Sequence, residues 1–283
     1  MTVAEHGQRR VGLVDAPLGA VTALLGEDHP LAPDHDVGPL AREQRLAHVV
    51  AVDAHGMRGA GEQFVEERRL EPVDRKLDAA KFLRVDQARK LHGAAWKARE
   101  GFSLTYLPFI ARAVSVALAK FPLLNASLDG DDLVIHSRIN IGIAVDLGFD
   151  GLVVPVVKNV PNKSLPQIAR EINDLATRAR AGRLKPDDLT EGTYTISNNG
   201  SFGTVITAPI INVPQIAILS TDAVRKKPVV VETPEGDSIA IRPVGVLAQS
   251  FDHRAVDGAY SAAFLREVKN VIETRHWAQD MQA

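Results

Sequence analysis

Between residues 103 and 276 the apolar residues follow two alternating patterns, and this alternation limits the chain's possible folds more than any other feature. Three stretches carry helical spacing, and short β-rich runs fill the gaps between them. In Ser103 to Phe121, Leu104, Leu107, Ala111, Val114 and Leu118 recur every three or four residues, which sets them on one side of a helix. Pro108 is tolerated only in that helix's first turn, and Pro122 ends it. A second helix opens on Ser164 with Gln167 at capping-box spacing, turns Leu165, Ile168, Ile172, Leu175 and Ala179 inward, and stops before Gly182. Its outward Arg170, Glu171, Asp174 and Arg178 form a solvated face. A third runs from near Asp257 to about His276 with Phe264, Leu265, Val268 and Ile272 inward. Strands are predicted at 133–136, 139–147, 152–157, 193–197, 216–219, 228–231 and 239–249. The order lacks a strict βαβ alternation and contains no phosphate-cradling glycine motif, so the expected fold is α/β, a two-layer sandwich with a mixed β-sheet.

Several function classes are disfavoured by composition. A net charge of -2 gives no excess of cations for neutralising nucleic-acid phosphates. With no cysteine, disulfides, thiolate metal sites and a cysteine nucleophile are all excluded. No apolar run approaches the roughly 18 residues that span a bilayer, and the N-terminus has neither a continuous apolar segment nor, with Glu5 so early, a transit-peptide character. The expectation is a cytoplasmic protein with no nucleic-acid or membrane partner.

Residues 1–84 read differently, as an atypical and partly irregular extension ahead of a catalytic domain at 85–283. Gly, Pro, Asp and Arg recur every few positions there, and apolar runs such as Val11 to Val14 and Ala20 to Leu25 are short and isolated. The cluster Asp28, His29, Asp34, His35 and Asp36 invites a metal reading, but its spacing matches no standard ligand pattern, and Pro30 and Pro33 suit a solvated loop. No metal is expected. A partner-binding module around Pro39 to Glu43 lacks the ordered loop and helix that should follow it.

Chemistry concentrates at His253. It follows the β-rich run Val244 to Ser250 and precedes a helix, which places it at a strand end or turn. A neutral imidazole with a pKa near about 6.5 is suited to accept a proton from a thiol of pKa about 8.5. Asp257, four residues on, is close enough to orient the ring or to pair with Arg254. On spacing alone His253 reads more readily as a structural histidine satisfied by its charged neighbours than as a catalyst.

The run Ser250 to Ala259, containing Asp252-His253-Arg254-Ala255-Val256-Asp257-Gly258, resembles the DHRxxDG signature of the dihydrolipoamide acyltransferases, the core subunits of 2-oxo acid dehydrogenase complexes. Three further blocks resemble the same family and stand in its order: Leu104 to Phe109 with Phe121 to Ser127, Asn140 to Asp146 leading into Gly151 to Asn159, and Tyr194 to Gly203 followed by Ala208 to Gln215. The likeness covers about 200 residues, from Val85 to the C-terminus. It implies a chloramphenicol acetyltransferase-like fold and acyl transfer between a dihydrolipoyl thiol and coenzyme A as a substrate. His253 would be the general base, Ser197 the hydroxyl that holds the tetrahedral oxyanion, and Asp257 an orienting or structural group. Ser197 also reads as a serine capping a strand end. The same likeness assigns Thr105, Asp146, Ser197 and Asn198 to the coenzyme's path, and Lys158 either to a phosphate or to an exposed place after a strand.

The family places this site between the subunits of a homotrimer, which builds larger cages and works with a lipoyl-bearing protein, a decarboxylase and a dihydrolipoyl dehydrogenase. This sequence departs from the pattern upstream. Gln63 to Lys81 does not reproduce the family's basic segment and helix, His92 stands near the position where the family often has an arginine that contacts coenzyme A, and no lipoyl domain with its lysine is recognisable. The lipoyl group is therefore expected from another chain. Ala259 is closer to acetyl- and branched-chain-specific members than to succinyl-specific ones. An acetyltransferase acting on a small-molecule hydroxyl and a non-catalytic assembly scaffold are the competing readings.

Overall fold

β12 (Gly236–Asp252), 17 residues long, organises the molecule. The structure is a computed structural model that describes residues 3–4, 8–12, 73–148 and 150–282. The metal-like cluster at 28–36 and the segment Pro39 to Glu43 lie outside the described residues. In chain order the other elements are β1 (Val3–Ala4), β2 (Gln8–Gly12), β3 (Val73–Lys81), α1 (Leu83–Glu100), α2 (Leu107–Lys120), β4 (Ala126–Asp129), β5 (Asp132–His136), β6 (Ile141–Asp146), β7 (Leu152–Val153), β8 (Val156–Val157), α3 (Leu165–Arg180), β9 (Tyr194–Asn198), β10 (Ala217–Thr221), β11 (Arg225–Thr233), α4 (Gly258–Thr274) and α5 (Trp277–Asp280).

The first half of β12 forms a hairpin with β11, and its second half runs between β10 and β3, antiparallel to both. Beyond β10 the sheet continues through β9 and β6 to β7, with β9 parallel to both of its neighbours and β8 on β6. The sheet is thus mixed, as the irregular alternation of elements implies. Gly245 lets the chain cross closely here, because a Cβ would lie 2.9 Å from the Phe82 ring and 3.1 Å from Val224. A second sheet, in the order β1-β2-β5-β4, adds two N-terminal strands that the sequence reading left irregular; Gln8 to Gly12 pair antiparallel with His136 to Asp132.

Side chains directly opposite one another in a sheet share a face. Tyr194, Ile196, Leu219, Gln249 and Phe251 therefore point together toward the helices, and all are buried. Tyr194 packs against Phe264 of α4, with ring centroids 5.7 Å apart. Its hydroxyl donates to Gln249 Oε1 at 2.9 Å, and Gln249 Nε2 donates to Ser261 Oγ at 3.0 Å, so a buried polar chain ties the sheet's centre to α4. α2 packs against both α3 and α4 and is buried on nearly all sides, which its run of Ala, Ile, Val and Leu permits. Pro108 sits in its first turn, and α3 carries the expected reciprocal Ser164–Gln167 cap.

Two elements at this end of the sheet were not read from the sequence. An edge between residues 84 and 85 would cut α1 after its second residue, whereas the sheet already begins at Val73. α1 buries only Val85, Ala88 and Trp96, too few to mark an apolar stripe, and β3 carries Asp74, Arg75, Lys76, Asp78 and Lys81, residue types depleted in strands. Pairing with β12 outweighs that local disadvantage.

Candidate functional site

The face of the sheet away from the helices is built mostly from small residues. One row holds Ser250, Ile218, Thr195 and Gly142; the next holds Ala248, Ser220, Ser197 and Ala144. Gly142 cannot carry a side chain, because a Cβ would fall 2.7 Å from Val154 Cγ1. Residues Ile206 to Pro209 lie over one end of this floor and border, with Ala248 to Ser250, a partly open cavity of about 320 Å³. Among the described residues no charged side chain lines it, and the fully buried Ser250 Oγ has no hydrogen-bond partner.

His253 stands one residue past the end of β12, on a turn that its neighbours hold in shape. Asp252 N–H still reaches across to Ile216 O at 2.8 Å. The Asp252 carboxylate then accepts the Arg254 backbone N–H (2.9 Å) and the Arg254 guanidinium (2.7 Å from Nη2), which stops the strand. Asp257 caps α4, its Oδ1 accepting Tyr260 N–H at 2.7 Å. Both aspartates of the motif are thus committed to backbone, and the His253 side chain between them is exposed, its ring 5.6 Å from that of Phe251. Sequence spacing had offered Asp257 as a partner of Arg254 or of the imidazole; capping is the contact the structure shows.

Ser197 lies at the C-terminal end of β9 and is half-buried. The next two residues take different roles. Asn198 is exposed, and its Oδ1 accepts Gly200 N–H at 3.2 Å. Asn199 Nδ2 donates to Ser197 Oγ at 3.4 Å and to Ser220 Oγ at 3.2 Å. The β9–β10 connection is anchored by Asp222, a buried carboxylate that accepts from the hydroxyls of Thr204 (2.5 Å) and Thr207 (2.8 Å) and from Thr207 N–H (3.2 Å). Beyond that anchor the connection is apolar and open to solvent: Ile210 is 89% and Val213 83% exposed, with Phe202, Val205 and Ile206 also exposed.

The chain does not bring its two principal candidates together. Ser197 shares a row with Ala248, whereas His253 is five residues further along β12 and two strands away. At about 3.3 Å per residue and about 4.8 Å per strand, that separates them by about 19 Å. Asp146 ends β6 two residues beyond the Ser197 row on the same face, and its Oδ2 accepts Gly148 N–H at 3.1 Å. Thr105 is exposed in the turn between α1 and α2, off the sheet. Lys158 is committed to Asp187 (2.8 Å) and Glu191 (3.3 Å), whose carboxylates push its ammonium above the usual lysine range. His92 Nε2 lies 3.1 Å from Ala278 O. Among the described residues no group of His, Asp and Glu is arranged to hold a metal ion. Asp252, Asn199, Asp222 and Ser250 were not singled out from the sequence. Of these Asp252, Asn199 and Ser250 stand inside blocks that resemble the family, whereas Asp222 had no visible signal.

Residues 73–278 match the family described as 2-oxoacid dehydrogenases acyltransferase (catalytic domain). The chain is 43% identical over 201 residues to the dihydrolipoyllysine-residue acetyltransferase component of the pyruvate dehydrogenase complex of Corynebacterium glutamicum, covering 70% of this chain and 30% of that one. It is 44% identical over 173 residues to the dihydrolipoyllysine-residue succinyltransferase component of the 2-oxoglutarate dehydrogenase complex of Cupriavidus necator, covering 61% and 40%. The chain thus spans less than half the length of either relative. Among solved structures it resembles a probable dihydrolipoamide acetyltransferase from Listeria monocytogenes (TM-score 0.68, 36% identity, 76% of this chain and 94% of that one). It also resembles the cubic core of a pyruvate dehydrogenase multienzyme complex (0.66, 33%, 72% and 82%). A third likeness is to the Azotobacter vinelandii dihydrolipoamide acetyltransferase, in a study of a serine, a histidine and an asparagine in its catalytic mechanism (0.66, 32%, 72% and 82%). Chloramphenicol acetyltransferase shares the fold at 13% identity (TM-score 0.50, 72% and 89%).

Proposed function

Since the chain belongs to the 2-oxoacid dehydrogenase acyltransferases, in their catalytic domain, we propose that it moves an acyl group between the thiol of a dihydrolipoyl arm and that of coenzyme A. His253 takes the proton of the attacking thiol, and the thiolate adds to the thioester carbonyl. The O–H of Ser197 donates to the oxyanion that forms. Collapse breaks the other C–S bond, and the departing thiolate takes back the proton from the imidazolium. The lipoyl group is supplied by another chain or domain, and coenzyme A runs past Thr105, Asp146 and Asn198.

The observation that carries this reading is the placement of His253: two backbone-bound aspartates fix the turn and leave the imidazole open. In the Azotobacter enzyme the histidine and asparagine under study stand four residues apart, the spacing of His253 and Asp257 here. The separation of about 19 Å between Ser197 and His253 means that a working site takes them from two chains. A homotrimer, or a cage built from trimers like the cubic core of the relative, meets that need. The exposed Ile210 and Val213 of the β9–β10 connection, with Val230, Ile239 and Ile241 on the hairpin, supply an apolar surface for such contacts. In the full complex the partners are a lipoyl-bearing protein, a decarboxylase and a dihydrolipoyl dehydrogenase.

The test is acetyl transfer from acetyl-coenzyme A to dihydrolipoamide by the purified protein, alongside its solution mass. The expected results are turnover by a trimer or a multiple of it, and loss of turnover in His253→Ala. Wild-type activity in His253→Ala, or full activity in a monomer, refutes the mechanism. Transfer to small-molecule hydroxyls but not to dihydrolipoamide would favour the chloramphenicol acetyltransferase-like alternative, whose present support is the fold alone.

A further inference from the structure

We propose that Asn199 is a positioning residue for the Ser197 hydroxyl, leaving the serine's own proton free for the oxyanion. The inference rests on the acyl-transfer reading above and deepens it. A hydroxyl has one proton and can accept at two lone pairs. To stabilise an oxyanion Ser197 must donate, yet a half-buried serine at a strand end can easily spend its proton on a nearby carbonyl. Asn199 counters this by occupying the acceptor side. Its Nδ2 carries two protons, one directed at Ser197 Oγ (3.4 Å) and one at Ser220 Oγ (3.2 Å).

The second acceptor fixes the amide. Ser220 is fully buried and stands level with Ser197 on the neighbouring parallel strand. The Asn199 backbone is held to β10 by its N–H to Thr221 O at 3.0 Å. Asn198 has no such part, since its side-chain oxygen turns to Gly200 N–H. The 3.4 Å contact is longer than an optimal N–H···O bond, and hydrogen bonds at unliganded sites commonly tighten when the reacting group arrives. A hydroxyl that accepts one hydrogen bond also becomes a better donor in another.

Two substitutions separate this role from a structural one. Asn199→Leu removes the donor, while Asn199→Asp keeps the shape but only accepts, so it draws the serine protons toward itself and sets a negative charge beside the developing oxyanion. The measurements are kcat and KM for acetyl-coenzyme A and dihydrolipoamide in the assembled protein, with solution mass and melting temperature as controls. The expected kcat is about 3- to 10-fold lower in Asn199→Leu and lower still in Asn199→Asp, approaching the roughly 10²- to 10³-fold loss of a deleted oxyanion donor in Ser197→Ala. Both KM values should stay within about twofold. In the Ser197→Ala background Asn199→Leu should cost nothing more.

Asn199→Leu and Asn199→Asp both at wild-type kcat, or a loss in Asn199→Leu that persists undiminished without Ser197, overturns the inference and leaves the acyl-transfer reading standing. If either variant fails to assemble, the other is read alone against the same criteria. Wild-type kcat in Ser197→Ala refutes the Ser197 mechanism, and with it the role of Asn199.

Discussion

Two inactive versions of this chain should restore activity when assembled together. Within one chain Ser197 and His253 are about 19 Å apart, too far for either to reach a carbonyl held by the other. Ser197→Ala leaves a good imidazole, and His253→Ala leaves a good hydroxyl. Each homo-oligomer should lose about 10²- to 10³-fold or more in kcat. In a randomly mixed oligomer a site between neighbouring subunits is whole when one subunit supplies its intact histidine and the next its intact serine. With equal amounts the chance is one half for each, so about one quarter of the sites should be whole. The assay is acetyl transfer to dihydrolipoamide by the whole pool of oligomers formed when the two variants are co-expressed in equal amounts. The expected rate is about 25% of wild type per site, far above the mean of the two separate variants, with wild-type KM for both substrates. A co-expressed sample no more active than that mean refutes the split site and requires Ser197 and His253 to act independently.

Further outcomes follow from the geometry. Gln249→Leu strands the buried hydroxyls of Tyr194 and Ser261, so urea unfolding should show a loss of about 1–3 kcal/mol for each group left unpaired. Asp252→Ala frees the Arg254 backbone and guanidinium; kcat should fall at least about 10-fold because His253 loses its fixed turn, while mutating Lys158, tied up by Asp187 and Glu191, should leave KM for coenzyme A unchanged. Burial holds the His136 imidazole below its usual range, beside Ser127 Oγ at 2.6 Å. The unfolded chain therefore binds a proton near pH 6.5 that the folded chain refuses, and stability should fall as pH drops from about 6.5 toward the lower folded value. Urea midpoints at pH 7.5 and 5.5 test this, and His136→Gln should flatten the difference.

What could be read from the sequence divides along the range of the forces involved. α2, α3 and α4 were legible because their signals are local: Pro108 in a first turn, Ser164 and Gln167 capping each other, and apolar residues at helical spacing. β3 was not, because its charged sequence becomes a strand only through pairing with β12, about 170 residues away in sequence. α1 escaped notice for a related reason, with three buried residues standing in for a stripe. At the site, motif resemblance located Ser197 and His253 but could not show that they lie toward opposite ends of the sheet, since that follows from the antiparallel register of β12 against β10 and β9. The roles of Asn199 and Asp222 likewise depend on partners brought in by folding.

The 17-residue β12 carries the apolar hairpin at one end and delivers His253 just past the other. It acts as a single measuring rod about 50–55 Å long. A one-residue slip anywhere along it would turn every side chain to the opposite face, exchanging the Gln249 row with the Ser250 row. On the proposed mechanism the placement of the His253 imidazole is thus inherited from strand register far from the site, and substitutions in the hairpin that shift its pairing should register as catalytic defects before they register as unfolding.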